Sequence, residues 1–144
     1  MAGEKTKLGE MLYVQRQDPD GYRWLIKKPF SLAKFSPHYF IDFGHILSHL
    51  ELPPGSRILD VGCGSGWHSD WLAQCGYCVF GLDISVDMIR CAKERLDTIY
   101  RPEWRSHIGF HGICGDAEAM PFRSSALDGV LFYDMLHHLS LIHI

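Results

Sequence analysis

The sequence lacks an apolar run long enough to cross a bilayer, and its first seven residues lack the apolar stretch of a secretion signal. We therefore expect a cytoplasmic protein with no membrane partner. It also lacks an excess of basic residues, because its formal net charge is −3. A protein that binds phosphate backbones is usually basic on at least one face, so no nucleic-acid partner is expected.

Cysteines are few and odd in number, five, so a complete disulfide framework is not expected. Cys75 and Cys78 have the C-x-x-C spacing of a redox or zinc site. No second pair of this kind completes a zinc site, and Gly76 is typical of a helix end, whereas a redox pair lies at a helix start. The nine histidines are scattered without an H-E-x-x-H spacing, so no metal site is predicted.

With 144 residues, 47% of them hydrophobic and 22% charged, the chain suits one globular domain. Residues 1–54 are interpreted as an N-terminal cover followed by a helix, with a turn at residues 18–21. Ser36 is predicted to cap that helix, with Pro37 as its first residue. The cover contains several aromatic residues, which indicates packing against the core. It is either a plain cover or a flap that helps to form a substrate pocket.

Between residues 55 and 138 the pattern changes to short apolar strands that alternate with helices. Ser85 is predicted to cap one of these helices. Strands are predicted at residues 57–61, 78–82, 108–114 and 127–133, and a helix at residues 65–74. This alternation predicts an α/β fold, a Rossmann-like parallel sheet with helices on both faces.

A glycine-rich loop, residues 60–66 (Asp-Val-Gly-Cys-Gly-Ser-Gly), follows the first strand directly. Glycines there permit a tight turn and a close approach by a ligand, and parallel sheets bind ligands beyond the carboxyl ends of their strands. The dinucleotide fingerprint G-x-G-x-x-G has a third glycine where this chain has Trp67. A nucleoside cofactor without a pyrophosphate is therefore favoured over a dinucleotide.

Two carboxylates follow the next two strands. Asp83 ends the second strand, where a carboxylate can accept hydrogen bonds from both ribose hydroxyls, a device that NAD proteins also use. Asp116 follows the third strand and could accept a hydrogen bond from the exocyclic amine of adenine. Ile84 and Met88 could pack against the two faces of the adenine ring.

Four segments together resemble the successive motifs of class I S-adenosylmethionine-dependent methyltransferases, and the resemblance covers roughly residues 55–139. They are residues 58–66, 81–85, 115–117 and 128–131, and each lies at or beside a strand in the family's order. The resemblance implies S-adenosylmethionine as cofactor and methyl transfer, by direct displacement, to a small-molecule substrate. The alternatives are a non-catalytic cofactor-binding or scaffold chain and, less favoured, an NAD-linked oxidoreductase.

The resemblance also assigns roles to individual residues in cofactor binding. The backbone of the glycine loop would line the methionine portion of the cofactor, and two carboxylates would orient its ammonium group and hold its ribose. For Asp60 and Asp116 the alternative is a role as a loop or helix cap. The assigned residues are Gly62, Cys63, Gly64 and Tyr133 at the methionine portion, Asp60 at the ammonium, Asp83 at the ribose, and Ile84, Asp116 and Ala117 at the adenine.

Two histidines are the candidates for a catalytic base. Displacement from a sulfonium needs mainly proximity and alignment, and a base is required only where the acceptor must lose a proton early. His137 and His138 follow the fourth strand, where this family often borders its substrate pocket, and histidine titrates near neutral pH. The alternative is that one histidine packs at a helix start and the other is solvated.

Only four of the family's seven strands are identified in the sequence. We expect a truncated reading frame whose tail, residues 139–144, is not native to the domain. A genuine short C-terminus and a partner chain that completes the sheet are the alternatives. A sheet that ends at the fourth strand has an exposed apolar edge, so we expect the chain alone to fold poorly or to self-associate.

Overall fold

The computed structural model describes residues 2–31, 33–105 and 109–139. Its centre is a sheet of four parallel strands in the order β3-β2-β1-β4. The strands are β1 (Arg57–Val61), β2 (Cys78–Asp83), β3 (Phe110–Cys114) and β4 (Gly129–Phe132). All four carboxyl ends lie at the same edge, and the direction of the chain across the sheet reverses between β3 and β4. This confirms the predicted Rossmann-like parallel sheet.

Six α-helices accompany the sheet in the described residues, together with two short 3-10 turns. None of these helices is both long enough and apolar enough to span a membrane. The helices are α1 (Ala2–Met11), α2 (Pro19–Lys27), α3 (Ser36–Leu50), α4 (Trp67–Gln74), α5 (Val86–Ile99) and α6 (Pro102–Arg105), and the 3-10 turns are Val14–Arg16 and Leu136–His138.

The two faces of the sheet are covered differently. The connections from β1 to β2 and from β2 to β3 step in the same direction, so right-handed crossovers place α4 and α5 on one face. There Phe43 of α3 and Leu72 of α4 pack against Ile58 and Val79 of the sheet. The sequence predicts helices on both faces. In the described residues the segment between β3 and β4 covers the second face without a helix, through side chains such as Phe122.

Two local predictions in the N-terminal cover are wrong. Residues 18–21 do not form an isolated turn, because Asp18 is the N-cap of α2 and accepts a hydrogen bond from the Gly21 backbone nitrogen at 2.7 Å. Ser36 does not cap α3, since Phe35 occupies that position, and the Ser36 hydroxyl donates to the Pro29 carbonyl at 2.8 Å. The predicted Ser85 cap is confirmed, since its hydroxyl accepts from the Met88 nitrogen.

A buried ion pair joins this cover to the rest of the domain. Arg95 of α5 is 3% exposed, and its Nε donates to Asp70 of α4 over 3.4 Å. One terminal nitrogen of the same guanidinium donates to the carbonyl oxygens of Ile26 and Lys28. The Tyr100 hydroxyl donates to the second Asp70 oxygen at 2.6 Å. The guanidinium thus holds the end of α2 against α4 and α5.

At its two edges the described sheet ends in β3 and β4. Val130 of β4 is 50% exposed. Self-association through this edge stays a prediction. Of the tail predicted to be non-native, only Leu139 lies within the described residues, so that prediction falls mostly outside the described chain.

Candidate functional site

A cavity of about 370 Å³ lies at the carboxyl ends of the four strands, beneath α1 and α2. Its size is within the range of small-molecule sites, and its place follows the rule for open α/β sheets. Six of the nine residues that the sequence assigns to the cofactor line it: Gly62, Gly64, Asp83, Ile84, Asp116 and Ala117. Asp60, Cys63 and Tyr133 do not line it.

The glycine loop is tied to the tip of β2. The backbone nitrogens of Gly62 and Cys63 donate to the Leu82 carbonyl at 2.8 and 3.0 Å. Gly62 has a φ of 71°, and a Cβ there would collide with Cγ of Met135. Gly64 also has a positive φ, 54°, but no atom lies within 4 Å of a Cβ built on it. The loop therefore needs glycine at both positions, and at Gly64 its backbone faces open space.

Asp83 lines the cavity at the end of β2, and its carboxylate is already oriented by the backbone. One oxygen accepts from the Gly64 nitrogen at 2.9 Å and the other accepts from the Ser85 nitrogen at 2.8 Å. Burial raises the pKa of Asp83, and these two hydrogen bonds oppose that shift. Each carboxylate oxygen keeps a second lone pair, so the group can accept two further hydrogen bonds from a ligand.

Asp116 carries a partner that the sequence did not predict. Lys7 of α1 donates to Asp116 at 2.7 Å and to Glu118 at 2.6 Å. Asp116 also accepts from the Glu118 backbone nitrogen at 2.9 Å. The Lys7 ammonium lowers the pKa of Asp116, so this carboxylate is ionised at neutral pH. The ion pair closes α1 over the β3 end of the cavity.

Asp60 is buried behind the glycine loop and is 2% exposed. It accepts a hydrogen bond from the Ser69 hydroxyl at 2.7 Å. Burial and, to a smaller extent, the nearby charge of Asp83 raise its pKa to about 6, although the hydrogen bonds from Ser69 oppose the shift. Cys63 is also buried, and burial raises the pKa of its thiol. Both residues support the loop from inside rather than face the cavity.

We predict that Asp60→Asn is more stable than the unmodified chain at pH 7.5, by about 1–3 kcal/mol. Folding raises the pKa of Asp60 from 3.8 to about 6, so folding favours its protonated form. The contribution of Asp60 to the free energy of unfolding is therefore fully present below about pH 4 and is lost as the pH rises through 6. Asparagine cannot ionise, so it does not cause this loss. The free energies of unfolding of the variant and of the unmodified chain, measured in urea, should therefore be equal near pH 4.

The control for this comparison is Asp20→Asn, because the Asp20 side chain is 89% exposed. It should match the unmodified chain at both pH values. The claim that burial raises the pKa of Asp60 would be contradicted if Asp60→Asn were less stable than the unmodified chain at pH 7.5. It would also be contradicted if the substitution changed the free energy of unfolding equally at both pH values.

Tyr133 points to the helical side of the sheet rather than into the cavity. Its hydroxyl donates to Asp42 of α3 at 2.7 Å, and its ring lies 4.0 Å from the ring of His68.

Of the two candidate bases, His138 lines the cavity and its Nδ1 lies 3.4 Å from Glu10 of α1. His137 is 63% exposed and does not line it.

The N-terminal cover supplies cavity residues that no motif indicates. Lys7 and Glu10 come from α1, and Tyr13 comes from the segment that follows it. Trp24 comes from α2, and Lys28 is the residue after α2. Among the alternatives for the cover, this placement favours the flap that helps to form a pocket. The aromatic content of the segment was the available signal, but it did not identify the lysines.

Comparison with known proteins identifies the family. The methyltransferase domain family matches residues 58–143. A demethylmenaquinone methyltransferase of Renibacterium salmoninarum is 40% identical over 77 residues, which are 54% of this chain and 28% of that protein. A tRNA (carboxymethyluridine(34)-5-O)-methyltransferase of Arabidopsis thaliana is 31% identical over 107 residues, 74% of this chain and 23% of that protein. The chain thus spans about a quarter of the length of these two curated relatives.

A solved structure supports the same fold. The crystal structure of magnesium protoporphyrin IX methyltransferase from Synechocystis PCC 6803, with S-adenosylmethionine bound, superposes with a TM-score of 0.71. It is 22% identical, and the similarity covers 94% of this chain and 64% of that one. Because the family match spans more than half of the sequence, the chain belongs to the methyltransferase domain family, in the class I, S-adenosylmethionine-dependent group that its motifs resemble.

Proposed function

We propose that the cavity binds S-adenosylmethionine and that the protein to which this chain belongs transfers its methyl group to a small-molecule acceptor. One observation carries the proposal. The Asp83 carboxylate is held by two backbone nitrogens at the tip of β2, between the glycine loop of β1 and Asp116 of β3, on one cavity. This spacing suits a nucleoside with a polar group at each end.

The strand order gives the proposed orientation of the cofactor. Its adenine lies at the β3 tip, where the chain offers Asp116 and Ala117, with Ile84 and Met88 as apolar contacts. The Asp116 oxygens already accept hydrogen bonds, but a carboxylate has enough lone pairs to accept one more from an exocyclic amine. The ribose lies at Asp83.

The methionine portion then lies at the β1 tip, against Gly64, where a Cβ would project into open space. Asp60, four residues earlier in the chain, does not line the cavity but places negative charge behind the loop, where it can attract the ammonium group through water. Gly62 has no room for a side chain because Met135 fills that space.

S-adenosylmethionine supplies a methyl group on a positively charged sulfur, which is already activated for displacement. The residues of the chain then have to orient the cofactor and the acceptor and to shield them from water. The carboxylates fix the nucleoside, the glycine loop permits close approach, and α1 and α2 exclude water from above, a contribution of proximity and alignment. The volume of the cavity, about 370 Å³, supports a small-molecule acceptor, and the absence of a nucleic-acid partner stays a prediction.

Replacing Asp83 by asparagine is expected to weaken S-adenosylmethionine binding about tenfold or more. A hydrogen bond to a charged group contributes about 1.5–3 kcal/mol, and the amide can offer only one acceptor oxygen to ligand and loop together. Isothermal titration of the variant and of the unmodified chain measures the change. Asp20→Asn, on the exposed side of α2, is the control with the same change of charge.

Circular dichroism of both variants shows whether the fold is retained. If Asp83→Asn is folded and binds S-adenosylmethionine as tightly as the control does, the ribose assignment is wrong. Ile84→Ala provides a second test of the same site, because it should weaken binding by loss of apolar contact without any change of charge.

A further inference from the structure

The β4 end of the cavity has no assigned ligand. The proposed cofactor occupies the tips of β3, β2 and β1, in that order, whereas the cavity continues to Asp134 and Met135 after β4. Trp24, Leu25 and Lys28 of the N-terminal cover form the wall above this end. A molecule bound here would lie next to the methionine portion of the cofactor.

Lys28 brings a half-buried cation to this end of the cavity. Its ammonium lies 5.1 Å from the centre of the Trp24 ring. Within the described parts of the chain, no carboxylate lies within 4 Å of it, and Asp134 is the acidic residue that faces it from further away. Burial lowers the pKa of Lys28, and Asp134 opposes that shift. A partly desolvated cation of this kind is stabilised by an incoming anion.

The backbone holds Lys28 in this position. Its carbonyl oxygen accepts a hydrogen bond from the buried Arg95, and its nitrogen donates to the Leu25 carbonyl at the end of α2. The neighbouring Lys27 is exposed and does not line the cavity. Only one of the two adjacent lysines therefore faces the cavity.

We propose that Lys28 and the Trp24 ring form the acceptor subsite and that it takes a small aromatic oxyanion, a carboxylate or phenolate. This rests on the proposed function, since it is the methyl donor at β1 that makes the β4 end an acceptor position. The Trp24 ring and Leu25 supply apolar contact for a planar acceptor, and the ammonium of Lys28 pairs with its oxygen. One ammonium facing one carboxylate does not favour a phosphate-bearing macromolecule, which needs several cations.

The chemistry that follows needs no base on the protein. A carboxylate acceptor is already ionised at neutral pH, whereas a phenol loses its proton to solvent on binding because the nearby cation stabilises the oxyanion. An oxygen lone pair then forms the bond to the methyl carbon as the carbon–sulfur bond breaks, and the electron pair of that bond stays on sulfur. The product is a neutral ether or ester, which no longer pairs with Lys28 and leaves more readily.

Two planar probes of similar shape, benzoate and benzamide, test the charge preference. Their dissociation constants are measured by ligand-detected NMR titration of the full chain saturated with S-adenosylhomocysteine. We expect benzoate to bind the unmodified chain more tightly than benzamide. Lys28→Met should weaken benzoate binding about tenfold or more and leave benzamide unchanged, since a charge-assisted hydrogen bond is lost. Lys28→Arg should restore the preference, and Lys27→Met should have no effect.

A separate titration with S-adenosylhomocysteine distinguishes two kinds of failure. If it does not bind the unmodified chain, the proposed function fails, and the subsite fails with it. If it binds all four proteins equally, but benzoate is not preferred or Lys28→Met leaves the preference unchanged, the acceptor subsite alone is overturned.

Discussion

Arg95→Met is expected to lower the free energy of unfolding by about 3–5 kcal/mol. Methionine removes the charge that compensates Asp70, which is 1% exposed. It also removes the donor to the Ile26 and Lys28 carbonyls. A buried charge left without its partner is far more destabilising than a lost surface ion pair. Equilibrium unfolding in urea at pH 7.5 measures the loss.

Arg90→Met is the matched control on the same helix. Arg90 pairs with Asp87 at 2.8 Å, but its side chain is 73% exposed, so its loss should change stability by less than about 1 kcal/mol. Equal effects of the two substitutions would contradict the buried role of Arg95. Because Arg95 also holds the Lys28 backbone, its replacement should loosen the cover over the cavity, which faster amide hydrogen exchange in α2 would reveal.

Gly66→Ala is expected to destabilise the fold by about 2–5 kcal/mol. Gly66 has a φ of 72°, a left-handed conformation that costs a residue with a Cβ about 1–2 kcal/mol. A Cβ there would also lie 2.8 Å from the Cβ of Ala92 in α5, and such overpacking costs about 1–3 kcal/mol more. The side chain of Ala92 cannot rotate away, so the start of α4 must move.

Gly64→Ala separates the two causes. Gly64 has a similar positive φ, 54°, but no atom lies within 4 Å of a Cβ placed on it. This variant should lose only the conformational part, about 1–2 kcal/mol. If Gly66→Ala and Gly64→Ala lose equal amounts of unfolding free energy, the close approach of Gly66 to α5 does not constrain the loop.

The sheet and its ligand-binding edge could be predicted from the sequence because their signals are local. Short apolar runs bounded by glycine and charged residues placed all four strands within two residues of their observed ends. The glycine loop, Asp83 and Asp116 each follow a strand directly, so parallel pairing alone brings them to one edge. Six of the nine assigned cofactor residues therefore line one cavity.

The cover could not be predicted to the same extent. α1 has few apolar residues and no clear apolar stripe, so its sequence gives no periodic signal. α2 does carry a signal, an aspartate N-cap followed by proline, but Asp-Pro-Asp-Gly is equally typical of an isolated turn. The positions of Lys7 and Lys28 in the cavity wall depend on how these helices pack, and no short motif encodes that packing.

Tyr133 shows a different limit. Its place at the end of β4 suggested the cavity, but the side chain of a residue beyond a strand can turn to either face. Here Asp42 of α3 accepts a hydrogen bond from the Tyr133 hydroxyl, and the rings of Trp67 and His68 pack against the Tyr133 ring. A partner from a distant helix decided the direction, and the assignment of Tyr133 to the cofactor stays a prediction.

Calorimetric titration of the unmodified chain with S-adenosylmethionine, S-adenosylhomocysteine and NAD tests the central claim most directly. S-adenosylmethionine and S-adenosylhomocysteine are each expected to bind with a stoichiometry of one, in the same cavity, because Asp83 and Asp116 suit a nucleoside. NAD is expected not to bind at the same concentrations, because Trp67, 5% exposed, fills the position of the third glycine that a dinucleotide site uses. Saturable binding of NAD without binding of S-adenosylmethionine would contradict the account.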